Sequence, residues 1–359
     1  MRKNQSVLIC PLDWGIGHAT RVVPIIDELI HNEFKVIIAA SGNALIFLKR
    51  EFPRLTFLHF PNYQVKYSKS GSQVFKMIKL FPKIIYCSIK EHFKLRKFIS
   101  AYNIDIVISD NRFGLWNKST FNIFITHQVN LSFPRKLKFL SNIYFSALRR
   151  IIEKYNECWI PDFKGERNLA GLLSHTKKEL SKAFYIGPLS RFAKLELDLN
   201  ITKEFDVLFI LSGPEPQRTI FENIILSQVK LTKFNIAIVR GTDNKLEIKT
   251  SFPVYNIANT ETLKKLIDKS DLVICRSGYS SIMDLVTLGK RAVLVPTPGQ
   301  TEQEYLAKYL MRKGLFFSME QKSFCLKTAY KAAFDYPPME TFQIHNKILK
   351  ERVASFKNR

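Results

Sequence analysis

The chain has 359 residues, 55 Lys+Arg against 31 Asp+Glu, and a formal net charge of +24. With 46% hydrophobic and 24% charged residues it has globular composition, which excludes a disordered or low-complexity protein, and its length predicts two domains, each large enough to bury a core. Five cysteines (Cys10, Cys87, Cys158, Cys275, Cys325) are scattered without a C-x-x-C pair, which excludes a disulfide framework and a cysteine-rich zinc site and fits a reducing compartment.

The amino terminus, MRKNQSVLICPLDWGIGH, enters a strand without the apolar core of a signal peptide. No run approaches the ~18–20 apolar residues of a membrane span, so a cytoplasmic location is expected. Ser6–Pro11 reads as the first buried strand, followed by a glycine turn and an amphipathic helix over 20–32. A strand over 34–40, a helix over 43–52 and a strand over 56–60 come next. From Lys66 to Lys97, basic residues alternate with Phe75, Met77, Ile78, Leu80, Phe81, Ile84 and Ile85, and Glu91 is the only acid. This segment predicts a helix broken near Pro82. It suits either the headgroup boundary of an anionic membrane or a core-facing helix with solvated lysines. The excess charge predicts attraction to polyanions, but no nucleic-acid-binding signature accompanies it. Strands over 104–109 and 122–126 complete the first series.

YIGPLSRFAK (185–194) interrupts the pattern with Gly187 and Pro188. A second series follows, with strands over 206–211, 235–240, 254–257, 271–275 and 292–296 and helices over 217–231, 260–270 and 280–288. The tail from Met339 reads as helical. Alternating strands and helices imply parallel doubly wound sheets. The expected organisation is a first domain over 1–188, a second domain over 189–338, and a final helical segment over 339–359. Ligands in such folds bind outside the carboxyl ends of the strands, here across a cleft between the halves.

Four loops carry chemistry at those ends. Asp13-Trp14-Gly15-Ile16-Gly17-His18-Ala19-Thr20-Arg21 follows the first strand. Gly15 and Gly17 permit a tight turn toward a ligand, and His18 offers either a helix cap or a base near neutral pH. Cys275 to Asp284 repeats the strand–turn–helix arrangement. There Arg276, Ser277, Gly278, Tyr279, Ser280 and Ser281 surround a helix amino end suited to a diphosphate, and Asp284 could accept bonds from ribose hydroxyls. In Pro296–Tyr305, Gln303 and Glu304 could read sugar hydroxyls or simply cap a helix. Ser212-Gly213-Pro214-Glu215-Pro216-Gln217 is a fourth loop suited to a phosphate or nucleoside, with two prolines that cost it amide donors.

In this order and spacing the motifs resemble the GT-B glycosyltransferases, in particular the family 28 group. That group includes the N-acetylglucosaminyltransferase of peptidoglycan lipid intermediates and the monogalactosyldiacylglycerol synthases. The resemblance is most specific at CRSGYSSIMDLVTLGKRAVLVPTPGQTEQEYLA; in the first half it rests on DWGIGHATR, with Thr126–Asn130 (THQVN) in support. It implies an α/β fold of two Rossmann-like domains facing across a cleft, with a nucleotide sugar, most often UDP-linked, held by the second and the acceptor by the first. It also implies that the final helix packs back on the first domain. Ser277–Ser281 would hold the donor phosphates, Asp284 the ribose, and Gln303 with Glu304 the sugar; Ser212, Gly213 and Gln217 would lie beside the donor. His18 would stand near acceptor and diphosphate, Arg191 near the diphosphate, and His127 and Asn130 in the acceptor pocket. Two departures, SGPEPQR in place of a glycine-rich loop and fewer glycines in the first turn, point to a different acceptor from that of the peptidoglycan enzyme.

The expected reaction is inverting hexose or N-acetylhexosamine transfer to an acceptor hydroxyl, lipid-linked or not. His18 is the base, and amides near Ser277–Tyr279 with Arg191 or Arg276 steady the leaving group. The sequence has no D-x-D pair, which predicts a metal-independent route without a further cofactor. Two alternatives stay open: a UDP-sugar 2-epimerase on the same fold, and a non-catalytic basic protein bound to a membrane surface.

Overall fold

The computed structural model describes residues 5–13, 15–60, 73–130, 139–176, 180–195, 201–242, 250–337 and 346–358, and within these the side chains of 73–81, 139, 142 and 358 are left aside. The chain forms two compact units that divide between Ala193 and Lys194, with the C-terminal helix belonging to the first. The division falls five residues beyond the expected 188/189 because IGPLSRF stays with the first unit. Ile186 and Gly187 donate main-chain bonds to Ile160 and Asp162, and Leu189 and Phe192 are buried.

The first unit contains β1 (Ser6–Pro11), α1 (Ile16–His31), β2 (Lys35–Ala40), α2 (Gly42–Glu51), β3 (Thr56–His59), α3 (Gln73–Tyr102), β4 (Ile106–Asp110), β5 (Phe121–Ile125), α4 (Phe139–Ile152), β6 (Glu157–Ile160) and β7 (Ala183–Tyr185). Its seven strands are ordered β3-β2-β1-β4-β5-β6-β7, and all pair in parallel. The strands are short runs rich in Val, Ile and Phe because helices cover both faces of a parallel sheet. One consequence is that β1 and β4 are neighbours, with Pro11 opposite Asp110.

The second unit contains β8 (Phe205–Ile210), α5 (Gln217–Val229), β9 (Ile236–Val239), β10 (Val254–Tyr255), α6 (Thr260–Asp268), β11 (Ser270–Cys275), α7 (Tyr279–Thr287), β12 (Ala292–Leu294), α8 (Thr301–Arg312), β13 (Phe317–Ser318) and α9 (Leu326–Asp335). Its order, β10-β9-β8-β11-β12-β13, repeats that of the first, with Ile210 of β8 opposite Cys275 of β11. One core joins β8, β9, β11 and α5 through Val207, Phe209, Phe221, Ile225, Ile238 and Ile274.

α10 (Lys347–Ala354) returns to the first unit. Leu349, Val353 and Phe356 recur on one helical face and are buried. Phe356 stacks on Trp159 at 6.0 Å and meets Phe34 edge-on at 6.1 Å. Arg352 adds an ion pair to Glu157.

The break expected near Pro82 does not occur, since α3 runs through it for 30 residues. Proline removes one helical hydrogen bond, but Pro82 is exposed, where water can take the place of the lost bond. Of the apolar residues in this segment, Phe75, Met77, Ile78, Leu80 and Phe81 lie outside the described side chains. Further along, Ile84 is half-buried, Glu91 and Leu95 are buried, and Ile85, Tyr86, Ile89 and Phe93 face solvent, so this part of the helix meets the core on one face and carries apolar residues to water on another.

Candidate functional site

Each sheet reverses its winding once, between β1 and β4 in the first unit and between β8 and β11 in the second. Doubly wound folds open their ligand crevices at the carboxyl ends of the strands on either side of that point. In the first unit β1 leads into the Gly15–His18 turn, and β4 ends on Asp110. In the second, β8 leads into Ser212 and Gly213, and β11 into Arg276–Gly278. Three of the four sequence motifs therefore occupy the switch points, whereas Pro296–Tyr305 follows β12, one strand further out.

In the first unit Gly15 takes φ +115 as N-cap of α1, a conformation that favours glycine. The helix starts at Ile16, ahead of the expected position, so Gly17 and His18 already lie in its first turn. Asp13 accepts from the Ala44 amide and the Ser41 hydroxyl, holding the turn against the start of α2. A Cβ at Gly42 would stand 2.1 Å from the Asp13 carboxylate, so glycine is required there. Asp13 thus anchors the loop.

His18 Nδ1 lies 3.0 Å from Asp110 Oδ2. Arg21, one helical turn beyond His18, directs Nε to both Asp110 oxygens at 3.0 Å and an NH2 hydrogen to Oδ1. Its other amino group, NH1, donates to His127 Nδ1 at 2.9 Å. Asp110 and Arg21 are buried, whereas 16% of the His18 side chain reaches the surface. Burial and the neighbouring Arg21 cation push the His18 pKa down, partly opposed by Asp110. Burial alone would raise Asp110, but Arg21 and His18 outweigh it and hold the carboxyl below its usual range. The result is an uncharged imidazole oriented by an ionised carboxylate. Such a pair can accept a proton at neutral pH.

The structure brings His18 and His127 together through Arg21. Asn130 lies three residues further, its amide bonded to the Leu173 carbonyl. Arg191 rests over the rings of Phe47 and Phe192. In the sequence reading Arg21 has no assigned role, and Asp110 counts only, with Asp13 and Glu304, among the few acids near the cleft that an epimerase would need. Their signals were the acid closing the IDIVISD strand and an arginine three residues after the histidine.

In the second unit Gly213 takes φ +100 directly after β8. Gln217 opens α5 and accepts through its side chain from Gln321. Arg276 departs from expectation as a diphosphate partner. Its NH1 donates to the Val295 and Pro296 carbonyls, and its NH2 to the Gln217 carbonyl and Gln321 Oε1. The guanidinium also stacks over Phe221. Buried and fully engaged at both amino groups, it ties three loops together, so its role as a leaving-group cation is withdrawn. Ser277 donates to the Gln303 carbonyl, Gln303 Oε1 accepts from the Thr297 amide, and Glu304 accepts from the Gly299 amide. These bonds fix the loop that precedes α8.

The start of α7 is different. Gly278 is its N-cap and offers no side-chain cap. A Cβ at Gly278 would have nothing within 4 Å, and Ser280 and Ser281 are partly exposed. The amino end of a helix favours anions through its main-chain N–H groups and dipole. Tyr279 and Asp284, by contrast, are buried. Sequence reasoning also missed Glu222, which is buried between Arg218 and Arg240. Arg218 reaches on to Glu215, bracing the loop after Gly213.

Residues 207–331 match the glycosyltransferase family 28 C-terminal domain. The chain is 29% identical over 125 residues to the UDP-N-acetylglucosamine–N-acetylmuramyl-(pentapeptide) pyrophosphoryl-undecaprenol N-acetylglucosamine transferase of Haemophilus ducreyi, covering 33% of this chain and 35% of that protein. Against the Rickettsia akari protein of the same name it is 25% identical over 222 residues, or 55% and 57% of the two chains. It thus spans about a third to just over half the length of these relatives. The crystal structure of the glycosyltransferase SnogD from Streptomyces nogalater superposes with a TM-score of 0.66 at 13% identity, covering 99% of both chains. The fold shows the GT-B architecture, and within it the second unit carries the segment that matches the family 28 C-terminal domain.

Proposed function

We propose that this chain is an inverting glycosyltransferase that moves a hexose or N-acetylhexosamine from a nucleotide sugar, UDP-linked by preference, to an acceptor hydroxyl. The observation that carries this reading is the His18–Asp110 pair at the switch point of the first sheet, in a chain whose second unit matches the family 28 domain. His18 takes the acceptor proton, and Asp110 holds the ring and compensates the imidazolium that forms. The acceptor oxygen then displaces the nucleoside diphosphate from the opposite face of the anomeric carbon. Main-chain N–H groups at the start of α7 steady the departing phosphates, and Asp284, Gln303 and Glu304 lie on the nucleoside and sugar side. The route needs no metal ion, which the missing D-x-D pair supports. Incubation with UDP-sugars and a panel of acceptors, with and without chelator, tests this. Product with inverted anomeric configuration in the presence of EDTA is expected. Conversion of the donor alone would favour an epimerase.

A membrane-associated acceptor is favoured by α3. Ile85, Tyr86, Ile89 and Phe93 expose an apolar stripe, with Lys90 over Tyr86 and Arg96 over Phe93. Such a surface suits the headgroup boundary of an anionic bilayer. Among the described residues no helix is long and apolar enough to cross one. Salt-sensitive flotation with phosphatidylglycerol vesicles, lost on changing Ile89 and Phe93 to Ser, is the expected outcome.

A further inference from the structure

We propose that Arg21 is a positioning residue that keeps the His18 imidazole uncharged and its Nε2 atom free of a proton. This rests on the assignment of His18 as the base.

His18 Nδ1 has two close neighbours, Asp110 Oδ2 at 3.0 Å and Arg21 NH2 at 2.9 Å. One calls for a hydrogen on Nδ1, the other for a lone pair. A neutral imidazole carries a single N–H, so only one contact can be a hydrogen bond to that ring. An Nδ1 lone pair facing an ionised carboxylate at this distance is repulsive, whereas Nδ1–H donating to it is a charge-assisted bond. Arg21 meanwhile satisfies itself on Asp110 and on His127 Nδ1. The proton therefore sits on Nδ1, and Nε2 is the acceptor.

The charged and titratable groups facing His18 are Arg21 from α1, Asp110 from the end of β4, and His127 from the segment after β5. Asp110 alone would favour an imidazolium, which is already protonated and cannot act as a base. Arg21 cancels that tendency by pairing with the same carboxylate while holding a positive charge against the ring. A second proton, on Nε2, would make the ring a cation whose Nδ1 edge lies 2.9 Å from the guanidinium, and like charges that close disfavour the charged form. The same guanidinium also reaches His127 Nδ1 at 2.9 Å, so it joins both rings to Asp110.

The test is ¹⁵N NMR titration of His18 in the full chain, for wild type, Arg21→Gln and Asp110→Asn. It needs no substrate. In wild type the proton should reside on Nδ1, and the ring should titrate below the ordinary 6.5. In Arg21→Gln the titration should move up by about one pH unit or more. In Asp110→Asn it should move down, because Arg21 then acts unopposed. An unchanged titration in Arg21→Gln, or an Nε2–H tautomer in wild type, overturns the proposal. If Arg21→Gln does not fold, Asp110→Asn decides, and an unchanged or raised pKa there is equally fatal. Once an acceptor is known, the acid limb of kcat/KM should follow His18 upward in Arg21→Gln, whereas a purely structural role would lower the rate at every pH. If wild type turns over no sugar while the titrations behave as stated, the transferase reading fails and the role of Arg21 stands.

Discussion

His18 and Asp110 are 92 residues apart in the chain and meet at 3.0 Å because β1 and β4 are neighbours with Pro11 opposite Asp110. The first residues after β1 and the last residue of β4 thereby share one end of the sheet. If the imidazole takes the acceptor proton, His18→Ala should lower turnover by ~10²–10⁴, the usual contribution of a positioned base. Thermal protection by UDP should persist, because the residues proposed for the donor belong to the other unit. Equal turnover in the variant would remove His18 from the reaction.

The same cluster predicts how stability responds to acid. The His18 pKa is depressed on folding, so the unfolded chain binds a proton more readily as pH falls below the ordinary 6.5, and folding stability is lost from there downward. Asp110 is also depressed; its contribution is present above the ordinary 3.8 and is lost as pH falls through its lower folded value. Glu91 and Asp162, raised by burial, act in the opposite sense, so the informative quantity is a difference. Between about pH 6.5 and 5 the denaturant midpoint of wild type should fall more steeply than that of His18→Gln. Parallel curves would show that His18 titrates alike in both states.

The layered α/β pattern was legible because parallel strands buried on both faces are continuous apolar runs, as in KVIIAA and SDLVIC. β7 and β13 lack that signal, being only three and two residues long with partly buried side chains. The loops with chemistry were found through glycine and strand–turn–helix spacing. Their internal bonding was not legible. Nothing local distinguishes Arg276, which is spent on loop carbonyls, from an arginine that meets a ligand, because its partners come from three distant segments. Asp110 was legible as an acid near the cleft but not as the partner of His18, since only sheet order brings the two together. Arg21, one helical turn from His18, was legible in position, but its partners Asp110 and His127 come from distant segments.

Phe356 should be the main anchor of the C-terminal segment, being fully buried against Trp159, Phe34 and Phe121. Phe356→Ala is expected to cost ~3–5 kcal/mol, as for other buried phenylalanines. Because Arg352 of α10 also bonds Glu157, the variant should expose the end of the chain to limited proteolysis. A loss below about 1 kcal/mol would show that the segment contributes little to the first unit.

Thr297 carries a buried hydroxyl without a hydrogen-bond partner among the described residues. It faces Gly213, where a Cβ would come within 3.8 Å of it. Its amide, not its hydroxyl, holds Gln303. Since an unsatisfied buried polar group costs ~1–3 kcal/mol, Thr297→Val should raise the denaturant midpoint by the equivalent of roughly 1 kcal/mol. A decrease would mean that the hydroxyl is satisfied in solution.

Gly278 offers the sharpest test of the proposed donor site. Its backbone, at φ −73 and ψ 140, is ordinary extended geometry that any residue adopts, and a Cβ there would meet nothing within 4 Å. The fold therefore does not demand glycine at this position. Close approach of a phosphate to the start of α7 would, because a methyl group would stand between the ligand and the amides. Gly278→Ala should leave the melting temperature of the free protein unchanged or slightly raised, since alanine restricts the unfolded chain. It should weaken UDP binding tenfold or more, about 1.4 kcal/mol, in calorimetric titration. Unaltered UDP affinity in a normally folded Gly278→Ala protein would move the diphosphate away from this helix, and with it the donor half of the proposed reaction.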